Sequence, residues 1–145
     1  MDDAKRELKG SEKRDTFKQK HKALRSGFYA TDVDFCLVSK HPPGVVAYID
    51  YKDYNDCVSF SEALAYNEFM KQAPVYIIQA SNPEIGPFVV QRYRGANWKP
   101  DPPDVDYGVA LWFKDWQALG EWEKALRDKY RRHGGWNGNL PVDEG

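Results

Sequence analysis

Two cysteines and two methionines are all the sulfur in this 145-residue chain. Cys36 and Cys57 are too few for a disulfide framework or a zinc site, so a reducing, cytoplasmic setting is expected. Net charge is nearly absent: 21 Lys/Arg against 22 Asp/Glu leave −1, which gives no bulk attraction to a polyanion. No apolar run approaches the roughly 18 residues of a membrane span. Met1-Asp2-Asp3 does not open as a secretory signal does, and no membrane partner is expected. P-loop, G-x-G-x-x-G, nucleophile-elbow and H-E-x-x-H motifs are missing too, which leaves nucleotide-triphosphate, dinucleotide, serine-hydrolase and zincin chemistry without a carrier.

What is present reads as a soluble globular chain, with 41% hydrophobic and 30% charged residues. The length suits one core. A single domain over residues 1–133 is expected, followed by a flexible tail over 134–145 that has little to pack. Charge is unevenly spread. Residues 1–25 carry nine Lys/Arg against five Asp/Glu, and residues 32–68 carry two against seven. An acidic centre beside a basic arm suits a metal site flanked by phosphate contacts. For any single lysine there, a solvated helix face is the alternative.

The periodicities give an alternation of helices and strands. A helix is expected from Ser11 to Ser26, ended by Gly27, with Phe17, His21 and Leu24 on one stripe. Two strands follow, Val33 to Ser39 and Val45 to Tyr51, around the turn residues Lys40-His41-Pro42-Pro43-Gly44. Cys36 is expected to be a small buried hydrophobe. Ser59-Phe60-Ser61-Glu62 fits a capping box for a helix reaching about Gln72, with Phe60, Leu64, Phe69 and Met70 facing the core. Strands are expected at Val75–Gln79 and Phe88–Arg94. A mobile, proline-rich loop should fill residues 95–106, and the apolar run Tyr107–Phe113 reads as a central strand. Asp115 should cap a last helix carrying Trp116, Leu119, Trp122, Leu126 and Tyr130 on one face.

The 31–52 stretch, TDVDFCLVSKHPPGVVAYIDYK, carries the chemistry. Centring the turn near Pro42 pairs positions that sum to 84, so Asp34 lies opposite Asp50 and Asp32 opposite Lys52. Like charges placed directly opposite destabilise a strand pair unless something neutralises them. One lysine cannot balance two or three carboxylates, whereas a divalent cation can, and oxygen-only ligands favour Mg²⁺, Mn²⁺ or Ca²⁺. A one-residue register slip would put the two aspartates on opposite faces and leave them as ordinary surface acids.

Asp34, followed by the tripeptide Asp50-Tyr51-Lys52 on the next strand, resembles the PD-(D/E)xK nuclease signature, although Val33 stands where that pattern has proline. The resemblance implies catalytic roles for Asp34, Asp50 and Lys52, with Mg²⁺ (or Mn²⁺ in its place) held by the two acids. The Tyr51 main-chain carbonyl is implied as a further ligand, and Asp32 competes with Asp34. Asp34 is the expected ligand because apolar residues follow it at once. His21, Glu7 and Glu62 are further candidates near such a site, although Glu62 is read first as a helix cap.

The expected fold is accordingly α/β, a mixed central β-sheet flanked by helices in a restriction endonuclease-like α/β/α sandwich. The expected activity is metal-dependent hydrolysis of DNA phosphodiesters. Lys18, Lys22, Arg25, Arg92 and Arg94 are the expected phosphate contacts, and a symmetric homodimer is the expected assembly for cutting both strands. The alternatives are a catalytically inactive nuclease fold that binds nucleic acid or protein, and an interaction module built on the aromatic residues.

Overall fold

The structure, a computed structural model, describes residues 12–22 and 33–141. The chain divides into two units, residues 1–30 and 31–145. In the first unit a helix, α1, covers Glu12–Lys22, inside the expected span and with acidic Glu12 and Asp15 in its first turn. Glu7, Arg25 and Asp32 lie outside the described residues.

The second unit is an α/β structure. Its strands are β1 (Phe35–Lys40), β2 (Pro43–Tyr51), β3 (Val75–Ala80), β4 (Phe88–Asn97), β5 (Asp104–Tyr107) and β6 (Leu111–Phe113). Its helices are α2 (Phe60–Phe69) and α3 (Trp116–Arg132). With α1 this makes, among the described residues, a six-stranded mixed sheet and three helices. The sheet runs β1-β2-β3-β4-β5, with β6 also on β4. Only β2 and β3 are parallel. That pair is joined through α2, as a parallel connection requires.

Pairing decides which residues share a face. Asp50 pairs with Ile77 and Ile77 with Gln91, whereas Tyr76 pairs with Ile49 and Arg92. The Asp50 face is covered by α2, where Phe69 stacks on Tyr48 and Tyr66 meets Tyr93 edge-on. The other face is covered by α3, where Trp122 packs against Tyr76 and Phe113, and Trp116 against Phe88. Buried Val75, Ile77 and Val90 run through the middle of this sheet. No helix among the described residues is long and apolar enough to cross a membrane.

Three expectations are corrected. Tyr107–Phe113 is not a central strand: it is two short strands, β5 and β6, that pair only with β4 and are interrupted at Gly108. Its apolar content could not separate an edge from a centre, and Trp112 is 66% exposed. The expected loop over 95–106 is shortened from both ends, because β4 continues to Asn97 and β5 starts at Asp104. The tail is not loose where it is described. Trp136 is 3% exposed, its ring meets Tyr130 edge-on, and its indole N–H donates to the Val46 carbonyl at 2.9 Å. A tryptophan with a partner for its N–H has enough area to hold a short tail.

Candidate active site

The register at the acids is set by a turn and a bulge acting together. The hairpin turn is only His41-Pro42, so Lys40 pairs with Pro43 and Val38 with Val45. Pairs at that end sum to 83. Between Leu37 and Val38 the register shifts, with Val46 the extra residue on β2, and from Leu37↔Ala47 to Phe35↔Ile49 the sum is 84. A bulge inserts one residue on one strand, so it moves every later pair by one. Asp34 is thereby brought opposite Asp50, the expected outcome reached by a different route.

The two aspartates are tied together through the backbone. The Asp34 amide donates to Asp50 Oδ1 at 2.9 Å, and the Tyr51 amide donates to Asp34 Oδ2 at 2.8 Å. Neither bond uses Asp34 Oδ1. Lys52 N–H points the other way, to Ile78 O at 3.0 Å on β3. In a trans peptide the C=O lies opposite the N–H, so the Tyr51 carbonyl is directed to the β1 side, where Asp34 stands.

Asp50 is 4% exposed. Burial, opposed by hydrogen bonds from Tyr66 and the Asp34 amide and aided by the neighbouring Asp34 charge, raises its pKa to about 6. Asp34 is exposed at the open side of the pair. Cys36, on the same strand face, is exposed as well and not the buried hydrophobe expected; it lies on β1, at the edge of the sheet.

Helix α2 supplies the rest. The expected capping box is present: Ser59 Oγ accepts from the Glu62 amide at 3.2 Å, and Glu62 Oε1 accepts from the Ser59 amide at 2.9 Å. The second oxygen of Glu62 takes the Lys52 ammonium, so the residue is both a cap and an ion-pair partner. Burial pushes the Glu62 pKa up, but Lys52 and the Ser59 amide outweigh it and the carboxyl ends below its ordinary value. One turn on, the Tyr66 hydroxyl donates to Asp50 Oδ2 and lies 3.4 Å from Glu62 Oε2. Burial and the two carboxylates drive the Tyr66 pKa well up, so it stays a donor.

Tyr66 was not anticipated; of the expected core-facing residues Phe60, Leu64, Phe69 and Met70, the last two pack against the core, but Ala63 and Tyr66 are the buried residues of the helix. The signal was nonetheless in the spacing. Asp50 and Lys52 are i, i+2 on a strand, about 6.6 Å apart along it. Glu62 and Tyr66 are i, i+4 on a helix, about 6 Å apart along it. In an antiparallel crossing the two pairs meet rung to rung, Lys52 on Glu62 and Asp50 on Tyr66.

Other sequence-derived residues stand elsewhere. Arg92 points to the α3 face, opposite the acids, and its guanidinium donates to the Pro141 carbonyl. Arg94 is exposed, beyond the last β3 pairing at Tyr93. Lys18 and Lys22 belong to α1 in the first unit. Among the described residues no group of three or more His, Cys, Asp or Glu comes together as metal ligands. The all-oxygen pair Asp34 and Asp50 still fits Mg²⁺, which commonly takes one or two carboxylates and completes its shell with water and phosphate oxygens.

No protein-family model, curated protein or solved structure matches this chain.

Proposed function

We propose that this protein is a magnesium-dependent endonuclease of the PD-(D/E)xK type, hydrolysing DNA phosphodiester bonds through Asp34, Asp50 and Lys52. The observation that carries this reading is the carboxylate pair: Asp34 and Asp50 are locked to one another's strands by two backbone hydrogen bonds, with Lys52 next on the same strand face. A restriction endonuclease-like α/β/α sandwich accords with the order of hairpin, helix and parallel strand, and with α2 and α3 on opposite faces.

Asp34, Asp50 and the Tyr51 carbonyl would hold the cation. When bound, Mg²⁺ supplies a water of lowered pKa and positive charge for the phosphate oxygens. The remaining work falls to the chain. The backbone bonds fix both carboxylates before substrate arrives, so little reorganisation accompanies the reaction. Tyr66 holds Asp50 in one rotamer and shields it from water. Lys52, held at one side by Glu62, presents its ammonium to the phosphate or orients the attacking water.

The same ion pair favours a second reading, a catalytically inactive nuclease fold that binds nucleic acid. A lysine neutralised by the helix-capping glutamate is what a purely structural residue would show.

Cleavage of plasmid, single-stranded and branched DNA in Mg²⁺ or Mn²⁺ separates the two. Wild type is expected to cut at least one of them and Asp50→Ala none. Lys52→Ala is expected to lose about 10²–10³ in rate while staying folded, its melting temperature lowered only by the loss of the ion pair with Glu62, and while keeping its Mn²⁺ affinity by calorimetry. A folded Lys52→Ala protein with wild-type activity overturns the catalytic reading.

A further inference from the structure

Lys52 is the cation nearest in sequence to the acid pair, yet its charge is spent elsewhere. It stands two residues from Asp50 on one strand face, about 6.6 Å along β2. It is also diagonal to Asp34, a separation that long side chains bridge. Two carboxylates facing one another should draw in the closest ammonium. The Lys52 ammonium goes instead to Glu62 Oε2, and the two side chains are only 14% and 16% exposed. Among the described residues neither Asp34 nor Asp50 has a cationic partner. Their oxygens take uncharged donors: the Asp34 amide and the Tyr66 hydroxyl on Asp50, and the Tyr51 amide on Asp34.

Glu62 can hold the ammonium because it is itself held. Its Oε1 accepts from the Ser59 amide at 2.9 Å and its own amide donates to Ser59 Oγ at 3.2 Å, so the first turn of α2 fixes the carboxylate. The hydroxyl of fully buried Tyr66 stands between the two sites, on Asp50 Oδ2 and 3.4 Å from Glu62 Oε2. A hydroxyl has one proton to give, and this one is directed at Asp50, which leaves Glu62 Oε2 to Lys52. We infer that Glu62 is a positioning residue: it draws the Lys52 ammonium off Asp34 and Asp50 and so keeps their oxygens open to a divalent cation. Without that partner Lys52 folds back onto the acids and competes with the metal for them. The inference deepens the nuclease reading and rests on it for the cation, but where Lys52 goes in the absence of Glu62 does not depend on any metal.

Glu62→Gln in the full-length protein tests it. Gln keeps an acceptor for the Ser59 amide and turns an NH₂ donor toward the ammonium, so the cap stays and the ion pair goes. Calorimetric Mn²⁺ titration is expected to show affinity weakened roughly tenfold in this variant, the effect of a cation seated against a carboxylate. The double variant Glu62→Gln/Lys52→Ala is expected to return to wild-type affinity, which a merely loosened helix would not do. Melting curves check that each variant is folded. Wild-type Mn²⁺ affinity in Glu62→Gln, or a loss that removing Lys52 does not recover, overturns the inference. A metal-free crystal structure of Glu62→Gln decides it separately. There the Lys52 ammonium is expected within hydrogen-bond distance of Asp34 or Asp50, and an ammonium left in solvent overturns the inference as well. Wild type that binds no Mn²⁺, with Lys52 on the acids in that crystal structure, removes the nuclease reading and leaves Glu62 as the residue that keeps Lys52 off the acids.

Discussion

Asp50 is the residue at which burial and charge conflict most. Its folded pKa of about 6 stands above an ordinary value of 3.8, so between those limits the native state holds a proton that the unfolded state has released. Stability in the metal-free protein is then greatest below about pH 4 as far as this group is concerned, and falls as pH rises to about 6. Two pH units correspond to roughly 2–3 kcal/mol. Asn at this position does not titrate and can still accept from the Asp34 amide. Asp50→Asn is expected to melt higher than wild type at pH 7.5 in EDTA, by an amount on the order of 2 kcal/mol, with the advantage vanishing near pH 4. Thermal melts at the two pH values check this, and an equal difference at both would show that Asp50 is not strained by its charge.

At the scale of elements, the pairing of strand β2 with helix α2 makes the site a shared structure, because Glu62 both caps the helix and engages Lys52. The two roles separate chemically. Gln keeps the capping geometry, since its side-chain carbonyl still accepts from the Ser59 amide, but it carries no charge for the ammonium. Ala loses both. Glu62→Ala is expected to cost about 1–3 kcal/mol, the sum of a lost cap and a partly buried ion pair. Glu62→Gln should cost about half of that, and chemical denaturation of the two variants measures the difference. Equal losses would assign the whole effect to the charge pair. The cap was legible from S-x-x-E alone, a local pattern. Its second role was not, because it depends on where the crossover brings α2 relative to β2.

The whole molecule contributes through its C-terminal segment. A bulge leaves a carbonyl out of the ladder, and the Trp136 indole N–H, 90 residues away in sequence, satisfies that of Val46. The Tyr130 hydroxyl does the same for Pro43 at 3.1 Å, lying so close to Gly44 that a Cβ there would collide with it. The end of the chain therefore supports the bulge that aligns Asp34 with Asp50. Trp136→Ala is expected to destabilise by about 3–5 kcal/mol, and Trp136→Phe by about 1–3 kcal/mol for the orphaned carbonyl. Urea denaturation of both tests it, and wild-type stability in the alanine variant would return this segment to a loose tail.

By itself the sequence determined what short-range chemistry determines. Its turn residues, the Ser59 and Asp115 caps and the apolar strand runs placed the elements within a few residues, because each signal spans at most one helical turn or one hairpin. It also led to the acid pair, though through a wider turn than the one present: the two-residue turn alone would set Asp34 opposite Ile49, and the bulge restores Asp50. Tertiary structure alone decided the rest. The bulge compensates for a tighter turn than the residues suggested, and whether Tyr107–Phe113 lies at an edge depends on strands far away in sequence. Tyr66 reaches Asp50 only because helix and strand repeats coincide in length across a parallel crossover. Arg92 was sent to the far face by a single-residue difference in parity that pairing with β3 imposes. In each case the deciding contact joins residues distant along the chain, whose approach is fixed by packing and not by propensity.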